Sequence, residues 1–302
     1  MQGGGYAVVL PVLQAPANTA DVVPCERLRC FLVSCLVIIV FLNCPVSVQA
    51  GAWGQQEGKF FLSIQAYFYS TDKYYDHEGD RHGRGGTFNK FEINPYMEYG
   101  ITDKDTVVAN LFLDVLTDDA SGSKRTTWGP ADMELGLQHK FYQGRHGVMG
   151  VQALLIVPTG YDIDDDPRLG YGRFGGEVSL LYGNSFKFME RYGFVDLHLG
   201  IRDYFGYPST QLRPALVAGY DVTQSWQALA WVEMHYGLDN GSEKSVGPNI
   251  LIQPNYRLLK LSLGARYRVN PRLSIVAAGY QHAWGEDTGC GGGAYASIWY
   301  SY

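Results

Sequence analysis

Charged and histidine side chains occupy every second position of several long segments in this sequence. Between 90 and 98, for example, Lys90, Glu92 and Glu98 alternate with the apolar residues Phe91 and Ile93. Acids and bases gathered on one face can form ion pairs with one another or surround water. The side chains predicted to share this polar face are Lys90, Glu92, Glu98, Asp114, Asp132, Glu134, Glu177, Asp196, His198, Arg202, Arg213, Glu233, Arg266 and Arg268, together with Lys140 and His235.

The elements that must position these side chains are β-strands. Alternation of polar and apolar residues over about nine to eleven positions indicates strands with one apolar face. Strands of soluble domains average about five or six residues, whereas a strand that crosses a bilayer needs about nine to eleven. Twelve such runs are predicted, at about 59–70, 88–99, 106–116, 131–141, 147–157, 174–183, 193–204, 211–220, 226–236, 259–269, 272–283 and 293–302.

An aromatic residue ends every second run, at intervals of about forty residues. The six are Tyr99, Phe141, Tyr182, Tyr220, Tyr267 and Tyr302, with separations of 42, 41, 38, 47 and 35 residues. Short turns follow these aromatics, whereas the other connections are long and polar, at 71–87, 117–130, 158–173 and 237–258. Because aromatic rings favour the membrane–water boundary, the six are predicted to form a girdle at the periplasmic end of a transmembrane barrel.

The predicted fold is therefore all-β, a closed up-and-down antiparallel barrel of about twelve strands over 59–302. Ten and fourteen strands stay open, because 245–258 could add a strand or form a loop. A propeller has a similar repeat but needs four short strands in each blade, and a soluble β-sandwich would not need so many long runs. Pro95 and Pro214 lie inside runs and predict local bulges.

Residues 1–50 are predicted to be an N-terminal extension and a secretory signal peptide, followed by a short periplasmic segment at 51–58. Two arginines precede an apolar run at 30–42, and small residues ending at Ala50 follow. This run is short for a spanning helix of about 20 residues. A membrane anchor is the rival interpretation. Export with cleavage would remove four of the five cysteines and leave only Cys290.

Four segments resemble one family of bacterial outer-membrane barrels. They are "GAWGQQEGKF", "EYGITDKDT", "GPADMELGLQHKF" and "LLIVPTGYD". The family is named for the MetA pathway of phenol degradation, and its members share Gly-Asp at the start of a strand and Pro-Thr-Gly at the end of another. Asp132 and the segment 158–160 match these positions, although Ala131 stands in place of the glycine. The resemblance implies a porin-like or transporter-like barrel that passes aromatic compounds.

The function predicted is a passive channel or facilitator for small solutes, aromatic or polar, in the outer membrane of a Gram-negative bacterium. The alternative is a structural or surface-interaction barrel with an occluded lumen, linked to envelope or polysaccharide function, since twelve strands enclose only a narrow interior. Barrel phospholipases and deacylases place a histidine two residues before a serine, and none of the seven histidines does so. A serine and a histidine could still meet across strands.

Neither an enzyme nor a cofactor or metal site is therefore predicted. The partners predicted are outer-membrane lipid, lipopolysaccharide, a small solute and the barrel-assembly machinery, which would bind the C-terminal strand. The formal net charge of −6 disfavours nucleic acid, because nucleic-acid binding needs a basic face.

Overall fold

A computed structural model describes residues 51–120, 122–205, 208–241 and 253–302. The regular structure in these residues is one antiparallel sheet of fifteen strands. In chain order the strands are β1 (Phe60–Tyr75), β2 (Arg81–Gly100), β3 (Asp105–Asn110), β4 (Leu113–Ala120), β5 (Ser123–Pro130), β6 (Met133–Gly144), β7 (Gly147–Val157), β8 (Gly175–Phe188), β9 (Arg191–Asp203), β10 (Gln211–Asp221), β11 (Trp226–Gly237), β12 (Arg257–Arg268), β13 (Leu273–Glu286), β14 (Thr288–Gly289) and β15 (Gly292–Ser301).

Two sequence predictions fall on the N-terminal part of the chain. The predicted signal peptide and four of the cysteines lie outside the described residues. The fifth cysteine, Cys290, is a half-buried free thiol. Among the described residues, no helix is long and apolar enough to cross a membrane.

The sheet closes into a twelve-stranded barrel, and this confirms the predicted fold class. β1 pairs with β2 on one side and with β15 on the other, and the seam with β15 runs from Phe61–Ser301 to Ser70–Gly292. Two of the twelve barrel strands are interrupted, because β3 continues into β4 and β5 continues into β6. The two-residue strand β14 pairs with β1 beyond the main seam. A closed sheet leaves no unpaired edge, which is the condition for a sheet within a bilayer.

The two ends of the barrel differ in their connections. At one end, here called the turn end, strands are joined by turns such as 101–104 and 189–190. At the other end, the loop end, the connection at 158–174 contains no strand. Two predicted loops, 71–87 and 117–130, are instead mostly strand, because the β1–β2 and β4–β5 ladders continue past the apolar segments.

The apolar face of the strands points outward and the polar face points inward. In β12, Leu263 is 73% exposed and its neighbour Ser262 is 3% exposed. In β15, Ile298 is 54% exposed and Ser297 is 3% exposed. The exposed apolar side chains therefore form the lipid-facing surface of the barrel.

We expect Leu263→Arg to reduce the free energy of unfolding by about 2–4 kcal/mol, because it places a guanidinium near the middle of the lipid-facing surface. The matched control is Val222→Arg in the turn at 222–225, where the expected loss is only about 0–1 kcal/mol. Urea titration in lipid vesicles, followed by tryptophan fluorescence, measures both. Equal losses would contradict the outward position of Leu263.

Both prolines that the sequence placed inside strands lie where the ladder to one neighbouring strand is interrupted. Pro95 in β2 separates the part that pairs with β3 from the part that pairs with β4. Pro214 in β10 lies in a two-residue gap of the β10–β11 ladder. Proline has no N–H to donate, so it is tolerated at such gaps. Phe112 and Arg213, which lie at these two gaps, both line the barrel interior.

Candidate functional site

Two cavities that are lined by described residues lie in the lumen of the barrel and share a wall. The outer cavity, nearer the loop end, has a volume of about 430 Å³. The inner cavity, nearer the turn end, has a volume of about 400 Å³. Phe112, Arg213, Glu233 and His235 line both cavities. Any small molecule that passes from one cavity to the other must therefore pass these four side chains.

Aromatic rings form part of the outer cavity. Tyr67 stacks on Tyr280 with ring centroids 4.8 Å apart, and Tyr69 stacks on His282 with centroids 4.7 Å apart. Tyr67, Tyr69 and His282 line the cavity directly. These rings lie on β1 and β13, the two strands that flank β15, and together they present an aromatic surface on which a planar group can stack.

Charged side chains of both signs complete the outer cavity. Lys90 lies 2.6 Å from Glu92 and 2.8 Å from Asp114, and Lys260 lies 2.8 Å from Glu233. Alternation along β2 puts Lys90 and Glu92 on the same inward face. The cavity is therefore polar and roughly balanced in charge on one part of its wall, and aromatic on another.

The guanidinium of Arg202 forms ion pairs that connect three strands beside the inner cavity. Arg202 in β9 donates to Glu177 in β8 at 2.6 Å and to Glu134 in β6 at 2.5 Å. Arg202 is 7% exposed and Glu177 is 4% exposed. His198 Nε2 lies 3.5 Å from Glu177. Charges buried this deeply are tolerated because each has an opposite charge and hydrogen bonds.

Arg213 has looser contacts than Arg202. Its Nη2 atom lies 2.7 Å from Nε2 of His235, and its Nη1 atom lies 3.8 Å from Glu177. Since a guanidinium only donates, His235 accepts at Nε2 and carries its proton on Nδ1, which donates to the Tyr256 hydroxyl at 3.1 Å. Arg213 is thus the cation on the shared wall that is best placed to meet a passing anion.

The first described residues lie inside the turn end of the barrel. Ala52 is fully buried, and its N–H donates to Asp196 at 3.0 Å. Gln138 Nε2 donates to the Gly51 carbonyl at 2.8 Å. The ring of Trp53 packs edge-on against Phe194, with centroids 6.1 Å apart. The segment predicted as periplasmic, 51–58, therefore begins inside the turn end of the barrel, between inward-facing side chains of the wall.

The connection at 158–174 is held against the wall at the loop end. The Tyr161 hydroxyl donates to Asp132, and the Tyr171 N–H donates to the same carboxylate at 3.2 Å. Burial and then the neighbouring Asp132 carboxylate raise the pKa of Tyr161, so its phenol keeps the proton it donates. The Tyr171 ring packs against Tyr204 with centroids 4.9 Å apart. Asp132, which the sequence assigned to the lumen, therefore anchors this connection.

The structure divides the fourteen predicted lumen residues into groups. All fourteen are buried or half-buried. The outer cavity is lined by Lys90 and Glu92, the shared wall by Arg213 and Glu233, and the inner cavity by Glu134, Glu177, Asp196, His198 and Arg202. The remaining five line neither cavity directly: Glu98, Asp114, Asp132, Arg266 and Arg268.

Arg266 and Arg268 lie near the turn end and make contacts of their own. Arg266 Nε donates to the Ser274 hydroxyl at 3.0 Å, and its guanidinium lies 5.2 Å from the centre of the Trp299 ring. Arg268 Nη2 donates to Asp221 at 2.6 Å. These two side chains therefore stabilise the barrel wall through contacts with other wall residues, and they line neither cavity.

The six aromatics that the sequence placed in a girdle lie on strands that run to the turn end. Tyr99, Phe141, Tyr267 and Tyr302 are exposed. Tyr182 and Tyr220 are half-buried, and their hydroxyls donate to the carbonyls of His146 and Phe188. Five of the six rings lie at or near the end of a strand, which suits a membrane–water boundary, whereas Tyr182 lies within β8 because that strand runs on to Phe188.

Comparison with solved structures finds an outer membrane channel and two autotransporter domains. An outer membrane channel from Pseudomonas putida F1 matches with a TM-score of 0.62 at 15% identity, over 84% of this chain and 99% of that chain. The translocator domain of the autotransporter NalP from Neisseria meningitidis matches with a TM-score of 0.45 at 11% identity, over 91% and 95%. The transport unit of the autotransporter AIDA-I from Escherichia coli matches with a TM-score of 0.47 at 9% identity, over 90% and 97%.

The first of these likenesses supports the barrel fold. No protein-family model and no curated protein matches the sequence. The closed barrel, its apolar exterior and its polar lumen define the class, a β-barrel protein of the bacterial outer membrane.

Proposed function

We propose that this protein is a passive channel or facilitator for small solutes in the outer membrane, with its turn end toward the periplasm. The observation that carries the proposal is the pair of cavities inside the barrel, which meet at Arg213 and Glu233. A lumen that served only to hold the wall together would be expected to fill with side chains. The protein acts by guiding a solute, and it carries out no reaction.

The proposed solute is small and carries a polar or charged group, an aromatic ring, or both. The stacked rings of Tyr67 and Tyr69 suit a planar ring, and Arg213 suits an anionic group. This combination also agrees with the sequence resemblance to the family named for phenol degradation. Membership of that family is part of the proposal.

Charge reversal at the shared wall should change ion selectivity. We expect Arg213→Glu to shift the reversal potential in a salt gradient toward cation selectivity, because both cavities lose a cation and gain an anion. The control is Lys124→Glu, since Lys124 lies exposed in β5 away from both cavities. Planar-bilayer recordings of the two variants and the unaltered protein make the comparison. Equal shifts in both variants would contradict a conduction path past Arg213.

The second candidate is a barrel with an occluded lumen that serves a structural or surface-interaction role. It is favoured by the chain at the two ends, where residues 51–57 occupy the turn end and 158–174 is anchored to Asp132 at the loop end. A folded barrel that stays silent in a planar bilayer, with and without its N-terminal segment, would favour this candidate over a channel.

The other partners belong to the same proposal. The exposed basic residues near the β1–β2 tip, such as Arg81 and His82, would meet the anionic sugars of lipopolysaccharide. The C-terminal strand β15 would be recognised by the barrel-assembly machinery before it pairs with β1. Crosslinking from the β15 residue Tyr300 during assembly tests the second of these contacts.

A further inference from the structure

Two buried carboxylates at the turn end have no cationic partner among the described residues. Glu98 is 0% exposed and Asp196 is 8% exposed. Each of the other carboxylates buried to this degree forms an ion pair with a lysine or arginine: Glu92, Asp114, Asp118 and Glu177. Burying a carboxylate without an opposite charge is strongly unfavourable. Glu98 and Asp196 are therefore the two carboxylates of this set, among the described residues, that have no cation beside them.

The polar contacts that these carboxylates do make come mostly from the N-terminal segment. Asp196 accepts the Ala52 N–H at 3.0 Å, and Glu98 accepts Nε2 of Gln55 at 2.6 Å. The backbone amide of Gly51 also contacts Glu98. The remaining contact is the Tyr96 hydroxyl, which donates to Glu98 at 2.5 Å. Gly51 thus lies beside both carboxylates, with its amide at Glu98 and its Cα close to Asp196.

Further features around Gly51 indicate that Glu98 and Asp196 bind a cation. A Cβ built on Gly51 would lie 2.0 Å from Asp196 Oδ2, so only glycine brings the backbone this close. Gly51 also has a φ of +97°, which disfavours other residues. Gln138 is 1% exposed, and its Oε1 atom is buried without a hydrogen-bond donor, while its Nε2 atom holds the Gly51 carbonyl. This orphaned acceptor could take an additional N–H.

We propose that Glu98 and Asp196 form a buried anionic site whose ligand is the α-ammonium group of Gly51, created when export cleaves the chain after Ala50. Hydrolysis of the Ala50–Gly51 peptide bond consumes one water and leaves a carboxylate on Ala50 and an ammonium group on Gly51. The amide nitrogen that already contacts Glu98 thereby becomes a cation with three N–H donors. This ion pair forms only after processing, and it adds to the hydrogen bonds that hold the N-terminal segment in the lumen.

The proposal is tested by the reactivity of the α-amino group. The full-length chain is expressed, and the processed protein is purified from outer membranes; its intact mass should equal that of residues 51–302. Acetic anhydride at neutral pH should label the α-amine in the folded barrel at least roughly tenfold more slowly than in the urea-unfolded chain, because pairing suppresses the reactive neutral amine. A different first residue, or equal labelling rates, would overturn the proposal.

Burial alone could slow labelling, so isosteric variants separate charge from access. Asp196→Asn and Glu98→Gln should each speed the labelling of the folded protein, whereas the control Asp103→Asn, at an acid that contacts Glu57 in the exposed turn, should not. Unchanged rates in both lumen variants would mean steric protection only and would refute the ion pair.

A second measurement covers the case in which the lumen variants fold poorly. Selective transamination converts the N-terminal amine of processed, unfolded protein into a carbonyl and removes its charge before refolding. If the ion pair exists, Asp196→Asn should lower the urea midpoint clearly in the unmodified chain and hardly at all in the transaminated one. Equal effects in both chains would also refute it. Neither readout depends on conduction, so the channel proposal can fail while this one stands.

Discussion

Replacing Arg202 with methionine should destabilise the barrel by about 3–5 kcal/mol, because it leaves Glu177 and Glu134 without their shared cation. Methionine replaces the unbranched aliphatic part of arginine, so most of the packing along the stem is kept and the loss reports mainly the guanidinium. The free energy of unfolding is measured by urea titration in lipid vesicles. The outcome would establish the guanidinium as the group that holds β6, β8 and β9 to one another across the lumen.

Two comparisons make this test specific. Lys187→Met removes the exposed pair with Glu190 in the β8–β9 turn, and its expected loss is about 0–1 kcal/mol. Adding Glu177→Gln and Glu134→Gln to Arg202→Met should recover much of the stability, since no unpaired charge then stays buried. If the triple variant were as unstable as the single one, packing rather than charge would explain the loss.

Deleting residues 51–57 should raise the single-channel conductance several-fold, because the main chain at these positions occupies the turn end of the lumen. The segment binds the wall through Asp196, Gln138 and Glu98, all of which stay in place in the variant. Planar-bilayer recordings under identical salt conditions make the measurement. The reversal potential should continue to respond to Arg213→Glu in the shortened protein.

The matched control is Tyr192→Ala, which alters an exposed side chain at the turn end without opening the lumen. Its conductance should equal that of the unaltered protein. If the shortened, folded barrel conducted no better, the narrowest point would lie elsewhere, with 158–174 as the next segment to remove. The N-terminal segment would then be a structural strap and not a restriction.

The sequence predicted the barrel because alternation is strong wherever one face meets lipid. Along 193–204, for example, the pattern closely matches β9. The pattern fails beyond the apolar segments, where β1 runs on to Tyr75 and β2 begins at Arg81. Those extensions are rich in polar residues and glycine, so the sequence there has no apolar period of two and suggests a loop.

The site was less predictable, since it depends on distances across the lumen. Alternation placed Arg202 and Glu134 on the inward face, but β7 and β8 separate their strands in the sheet. Only the curvature of the closed barrel brings them within 2.5 Å. The alternation of β1 and β13 predicts that Tyr67 and Tyr280 face inward. It does not predict that the two rings stack, because an uncharged ring on an inward face is not distinguished by sequence from a ring that only fills space.

The position of the N-terminal segment inside the barrel was the feature that the sequence predicted least. It is short, polar and aperiodic, so no strand or helix pattern applies to it. Its position depends on hydrogen bonds to residues far along the chain, such as the one from Ala52 to Asp196, which are 144 positions apart. Contacts of this kind become visible only when the whole barrel is known.

The seam between β1 and β15 imposes an order on folding. Every other ladder of the main barrel wall joins strands that are close in sequence, whereas this seam pairs residues more than 200 positions apart, such as Ser63 and Trp299. Loop-closure entropy delays pairings of such high contact order, so hairpins can form early while the last ladder forms late. Until then two open edges can recruit strands of other chains. Pairing of β15 with β1 is thus the step that determines whether the chain closes into a barrel or aggregates.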